Sequence, residues 1–340
     1  MTTRLLSLVA ALGVAALVAA CAFAFEAHAQ QQSPASVDPS ASVQTEQQLL
    51  DELHRIQGRG SIPDTKSYVI EQPAGRTWQI FHQTYLRWVG AAAIICIFSL
   101  LVIFYLWRGT LRFGARAGRM MLRFTAFERF VHWMTATCFT VLAISGLNIT
   151  FGRPLLLPLI GPETFATWSQ WAKYAHNYLS FPFTLGVILM FFVWVASNLP
   201  TRADVEWIKE GGGMFGGEEP PAYKFNAGEK FIFWTVVIGG SVVTVTGYVL
   251  LFPFYLSGIA GMQAAQVVHS VVGVLYIAAM LVHIYMGTLG MEGALEGMWG
   301  GEVDVNWAKS HHLLWYEEEV GGKAVDRSRA SLDTKAIKTG

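Results

Sequence analysis

Five stretches of this chain, roughly Val89–Trp107, Phe130–Thr150, His176–Asn198, Lys230–Phe252 and Ala264–Leu289, are almost uninterruptedly apolar. A helix rises 1.5 Å per residue, so about 20 such residues cross a hydrocarbon core of about 30 Å. No water inside that core can satisfy a free N–H or C=O, so each stretch must fold as a helix. The composition agrees: 53% of residues are hydrophobic and only 14% are charged, against about 25% charged in soluble domains. Twelve Trp, eleven Tyr and 22 Phe suit a protein with two membrane interfaces. Lys+Arg and Asp+Glu are balanced at 24 each, so net charge offers no hold on nucleic acid. The expectation is an all-α integral membrane protein in contact with lipid.

The opening "MTTRLLSLVAALGVAALVAACAFAFEAHAQ" has one Arg, an apolar run and Ala-His-Ala before Gln30. It reads as a signal peptide over residues 1–29, with a lipoprotein-type cut and a lipidated Cys21 as the alternative. Residues 30–88 form a polar external segment, rich in Gln, Ser and Pro at first. Between the first two spans lie six arginines (108, 112, 116, 119, 123 and 129) against one acid, Glu128. The loop that follows the second span has only Arg153 and Lys173, and 253–263 has no Lys or Arg. The positive-inside rule then sets a periplasmic N-terminus, five crossings of a bacterial inner membrane and a cytoplasmic tail, 317–340. The three cysteines, Cys21, Cys96 and Cys138, show no C-x-x-C spacing. Disulfide scaffolds, zinc sites, iron–sulfur clusters and c-type haem are therefore not expected.

The spans carry four of the nine histidines. By the topology above, His132 and His283 lie at the cytoplasmic level, and His176 and His269 at the external one. In "QVVHSVVGVLYIAAMLVHIYMGTL" the fourteen residues from His269 to His283 correspond to about 21 Å of helix rise. Fourteen steps of about 100° return within roughly 40° of the starting direction, so both imidazoles face one side. This is the geometry of two stacked bis-histidine haems, each with one ligand from the last span and one from another helix. The bland alternative is four hydrogen-bonded packing residues. Gly146, Gly186, Gly239, Gly240, Gly247 and Gly273 could let macrocycles or helices approach closely. Arg129, one turn before His132, suits either a haem propionate or an interface anchor. His28 leaves with the signal peptide, while His54, His82, His311 and His312 read as solvated surface residues. The stretch "EGGGMFGGEEPPAYKFNAGEK" lacks G-K-[ST], so a phosphate-binding role is weak.

"FERFVHWMTA", "KYAHNYLSFPF", "YKFNAGEKFIFW", "VVHSVVGVLYIAAMLVHIYMG" and "NWAKSHHLLWY" resemble, in order and spacing, the gamma (cytochrome b) subunit of membrane-bound respiratory formate dehydrogenases. The resemblance implies a four-helix transmembrane di-haem cytochrome b bundle over 123–316, to which this chain adds one extra N-terminal transmembrane helix, 89–107. It implies two haem b groups, one held by His176 and His269 and the other by His132 and His283. It also implies a quinone site, for menaquinone or ubiquinone, beside Asn226 and Gly228, with Glu229 where the family usually has Gln. Formate chemistry would belong to a molybdenum or tungsten alpha subunit, linked by an iron–sulfur beta subunit. Electrons would enter at the external haem, cross to the cytoplasmic one and reduce quinone with protons from the cytoplasmic side. The rivals are the cytochrome b subunit of a nickel–iron hydrogenase or thiosulfate reductase, and a haem-free membrane anchor.

Overall fold

The computed structural model describes residues 75–215 and 219–321. The signal peptide with Cys21 and His28, the polar segment through residue 74 with His54, and the tail beyond 321 lie outside the described residues. Five helices are long and apolar enough to cross a membrane, and the chain is a multi-pass, all-helical membrane protein. In chain order the helices are α1 (Thr77–Arg108), α2 (Ala126–Leu155), α3 (Pro162–Trp194), α4 (Arg202–Lys209), α5 (Ala227–Leu251), α6 (Ile259–Tyr285), α7 (Ala294–Gly300) and α8 (Val305–His311). Residues 313–321 are helical as well. Of these, α1, α2, α3, α5 and α6 are the spanning helices.

Local chemistry sets the helix starts. Thr125 and Glu128 form a reciprocal capping box at α2, and Asn226 and Glu229 form another at α5. Pro162 occupies the first turn of α3, where its missing N–H costs nothing. Two helices start more than ten residues before their expected beginnings. α3 begins at Pro162, so His176 sits well inside it rather than opening it. The polar residues Glu163, Ser169, Gln170 and Lys173 lower the hydropathy of that stretch without breaking the helix. α1 likewise starts before Val89, in the stretch expected to be external and polar.

The spans form two hairpins, α2 with α3 and α5 with α6, joined through α3 against α5. α1 packs on the flank of α6 and otherwise presents Phe98, Ile103 and Leu106 to lipid. Lipid tails are as apolar as these side chains, so close packing rather than burial from water holds the helices together. Small residues mark the crossings. A Cβ on Gly186 of α3 would stand 2.1 Å from Thr135 Oγ1 of α2. One on Gly240 of α5 would stand 2.9 Å from Val187 Cγ2 of α3. By contrast α6 meets α2 only slightly, and these are two of the helices that carry histidines.

A small polar structure closes one end. Strands β1 (Met120–Leu122) and β2 (Glu302–Asp304) pair antiparallel, with Met121 opposite Val303. The carboxylate of Asp304 accepts from the N–H groups of Ala117, Gly118 and Asn306 at 3.1, 3.0 and 2.8 Å. The arginine-rich stretch is thereby tied down instead of running as a free loop.

Candidate functional site

The imidazoles meet in the two expected pairs. The ring centroids of His132 and His283 are 6.1 Å apart, and those of His176 and His269 are also 6.1 Å apart. An imidazole nitrogen binds a first-row metal at about 2 Å. Two imidazoles on opposite sides of one ion therefore place their nitrogens about 4 Å apart and their ring centres about 6 Å apart. Direct stacking would bring the rings closer, and turning toward lipid would carry them further away.

Between the pairs lies an aromatic layer. Phe139, Phe183 and Tyr276 each stand seven residues after a site histidine: His132 in α2, His176 in α3 and His269 in α6. Seven residues are nearly two turns, so each ring falls below its histidine on the same face. The Tyr276 ring is 4.8 Å from Phe139 and 6.4 Å from Phe183.

One pair is buttressed by hydroxyl groups that the sequence reading did not single out. Ser145 Oγ donates to the Val141 carbonyl at 2.7 Å, so toward His176 it accepts, and Nδ1 donates to it at 2.8 Å. Thr246 Oγ1 likewise donates to the Val242 carbonyl at 2.7 Å and accepts from His269 Nδ1 at 3.0 Å. The next residue in each case is glycine. A Cβ on Gly146 would lie 3.5 Å from His176 Cε1, and one on Gly247 would lie 3.3 Å from His269 Cε1. A hydroxyl-then-glycine doublet, "SG" in α2 and "TG" in α5, thus forms a seat for each ring. Gly146 and Gly247, two of the glycines expected to let macrocycles or helices approach closely, lie against imidazoles. With the proton fixed on Nδ1, Nε2 keeps its lone pair for a metal. At the other pair, His132 Nδ1 is buried with no hydrogen-bond partner among the described residues.

The remaining expected residues lie at the His132 end. Arg129 donates from Nη1 to the Trp299 carbonyl at 2.6 Å, while its buried Nε has no partner among the described residues. Asn226 Oδ1 accepts from Glu229 N at 2.9 Å, and a Cβ on Gly228 would lie 3.2 Å from Trp207 Cη2. Glu229 pairs with Arg123 at 2.9 Å. His311 and His312 are not solvated: they are 5% and 1% exposed. Burial above all, then the Arg123 cation, pushes the His312 pKa down to about 3. His311 Nδ1 is bound to Glu219. In "WAKSHHLLWY" they are buried together with Trp307, Ala308 and Trp315 while Lys309, Ser310 and Leu313 stay exposed, a fold that hydropathy alone did not reveal.

Two imidazoles that share one haem iron would have to face each other with ring centres about 6 Å apart, and the four rings fit that requirement as two pairs. The model of one family, described as prokaryotic cytochrome b561, matches residues 123–301. The nitrate-inducible formate dehydrogenase cytochrome b556(Fdn) subunit of Escherichia coli K12 is 31% identical over 220 residues, covering 63% of this chain and 98% of that protein. The cytochrome b556(fdo) subunit of the same strain is 32% identical over 202 residues, with 58% and 92% covered. The formate dehydrogenase cytochrome b556 subunit of Haemophilus influenzae is 32% identical over 208 residues, with 57% and 82% covered. The chain belongs to the prokaryotic cytochrome b561 family.

Proposed function

We propose that this chain is the membrane cytochrome b subunit of a formate:quinone oxidoreductase, with two haem b groups. The observation that carries the reading is the doubled imidazole pair, each with centroids 6.1 Å apart, in a chain of this family. The names of its relatives favour formate dehydrogenase over a hydrogenase or thiosulfate reductase. The N-terminus is periplasmic and the C-terminus cytoplasmic, as the arginine distribution requires. Electrons arrive from an iron–sulfur beta subunit served by a molybdenum or tungsten alpha subunit, and leave to menaquinone or ubiquinone.

Bound haem iron supplies one-electron redox chemistry. His176 and His269 hold the external group, His132 and His283 the cytoplasmic one, and Arg129 offers its free Nε edge to a propionate. The glycines and aromatic rings shape a dry interior. Asn226 and Gly228, at the start of α5 and at the same end as His283, bind the quinone head. Reduction there takes protons from the cytoplasm.

The test is a reduced-minus-oxidised absorbance spectrum of the purified chain, followed by His269→Ala and His283→Ala. Each variant loses about half of the b-type band. In the assembled complex, His283→Ala abolishes quinone reduction while formate-driven dye reduction survives. A wild-type chain with no b-type band, or full quinone reduction by His283→Ala, defeats the reading.

A further inference from the structure

The family resemblance implies a direction of electron flow between the two imidazole pairs but names no residues that set it. The structure distinguishes the pairs at specific side chains. Both rings of the His176/His269 pair donate Nδ1–H to a hydroxyl that is itself committed to a backbone carbonyl, at 2.8 and 3.0 Å. Each of the two hydroxyls also lies within reach of a second carbonyl one turn before its glycine, Ser145 to Leu142 at 3.0 Å and Thr246 to Val243 at 3.3 Å. The pattern is repeated in detail on two different helices. Leu142, Ser145 and Gly146 of α2 serve His176, and Val243, Thr246 and Gly247 of α5 serve His269. Serine and threonine in mid-helix commonly donate only to the carbonyl one turn earlier, as Thr135 does to Val131 and Ser241 to Val237. Here two of them have a second task. In the other pair, His132 Nδ1 is buried and has no such acceptor among the described residues.

An acceptor on Nδ1–H pulls the proton away from the ring and makes Nε2 a more basic ligand. A more basic ligand favours the more highly charged, oxidised iron, and so lowers the reduction potential. A ring with no acceptor donates less strongly and leaves the potential higher. We propose that Ser145 and Thr246 are positioning residues that make the His176/His269 centre the lower-potential one, and so set the direction of electron flow through the bundle. Passage of one electron from that centre to the His132/His283 centre is then downhill. The first is oxidised and the second reduced, with no bond made or broken. The assignment rests on the di-haem reading above, and gives the bundle a built-in polarity from its periplasmic to its cytoplasmic end.

The experiment is spectroelectrochemical titration of the purified holoprotein and of four variants. Ser145→Ala and Thr246→Val delete a hydroxyl at nearly constant shape, whereas Ser145→Thr and Thr246→Ser keep it. In wild type the b-type band titrates in two steps. Each deletion raises the lower step and leaves the upper one in place, changing the one-electron exchange equilibrium between the centres about tenfold, or about 59 mV. The hydroxyl-keeping variants titrate as wild type. Two intact steps with neither moved in the deletion variants overturn the proposal while the di-haem reading stands. Movement of the upper step instead also overturns it. Loss of the band from both deletion variants, with retention in the other two, makes the hydroxyls structural seats only and overturns the tuning role. A wild-type chain with no b-type band removes the di-haem reading itself.

Discussion

Arg123 Nη2 donates to His312 Nε2 at 3.0 Å, a buried contact between side chains 189 positions apart. The opposite nitrogen, Nδ1, donates to the Tyr223 carbonyl at 2.7 Å. The ring is therefore neutral, with both nitrogens occupied, and a second proton would break the Arg123 bond and place two cations side by side.

This fixes a pH dependence. The His312 pKa is about 3 in the folded state, against about 6.5 in an unfolded chain. The unfolded chain thus binds the extra proton first. The stabilising effect is complete above about pH 6.5 and is lost as pH falls from there toward 3, by about 1 kcal/mol per pH unit. Thermal unfolding midpoints in detergent fall between pH 7.5 and 5.5 in wild type, and His312→Gln flattens that slope. Equal slopes in the two proteins would show that His312 does not carry the dependence.

The spans and histidines were legible in the sequence, and the reason is physical. Lipid forbids unsatisfied backbone, so hydropathy reports spanning helices directly, and a polar ring in such a helix stands out against its neighbours. The pairing of His132 with His283 and His176 with His269 followed from depth and helix periodicity. The ends of the helices were less legible, because Glu163 to Lys173 are as helical as the apolar run they precede. Least legible was everything outside lipid. His311 and His312 resemble surface residues until β1 pairs with β2 and brings Arg123 alongside, and no local signal announces a contact across 189 residues. Ser145 and Thr246 left a trace in the SG and TG doublets, whose meaning needs the opposing ring.

Glu229 combines two tasks, and two substitutions separate them. Its carboxylate closes the α5 capping box on Asn226 N at 3.0 Å and faces Arg123 at 2.9 Å. Glu229→Gln keeps an acceptor for the cap and loses the charge, costing about 1 kcal/mol because the pair is partly exposed. Glu229→Ala loses both and costs about 2–3 kcal/mol. Chemical denaturation of the two variants with haem content monitored reads the difference; equal costs would mean the cap contributes nothing.

At the α2–α3 crossing, Gly186→Ala places a methyl 2.1 Å from Thr135 Oγ1, a buried hydroxyl already bonded to the Val131 carbonyl at 2.7 Å. Thr135 cannot turn away without breaking that bond, so the helices must separate, at a cost of about 1–3 kcal/mol. The paired change Gly186→Ala with Thr135→Ala relieves the clash and recovers most of the loss. Thermal midpoints of the single and double variants check this, and an unrecovered double variant would locate the strain elsewhere.

The aromatic layer between the two histidine pairs makes a different demand. Tyr276 is 4% exposed and Phe183 3%, and Phe139 packs its ring 4.8 Å from Tyr276. Phe139→Ala opens a cavity at the centre of the bundle, where α2, α3 and α6 all contribute side chains and none can collapse alone. A loss of about 3 kcal/mol is expected. Phe139→Leu fills most of that volume and costs about 1 kcal/mol. Tyr276→Phe keeps the ring and its contacts, so it stays within about 1 kcal/mol of wild type. Because Phe139 and Tyr276 stand one heptad from His132 and His269, a collapse of the layer tilts the helices at both levels together. Phe139→Ala therefore lowers haem occupancy at both pairs, read as a proportional loss of the whole b-type band. Loss confined to one step of the redox titration would mean that the two levels are packed independently and that the layer does not couple them.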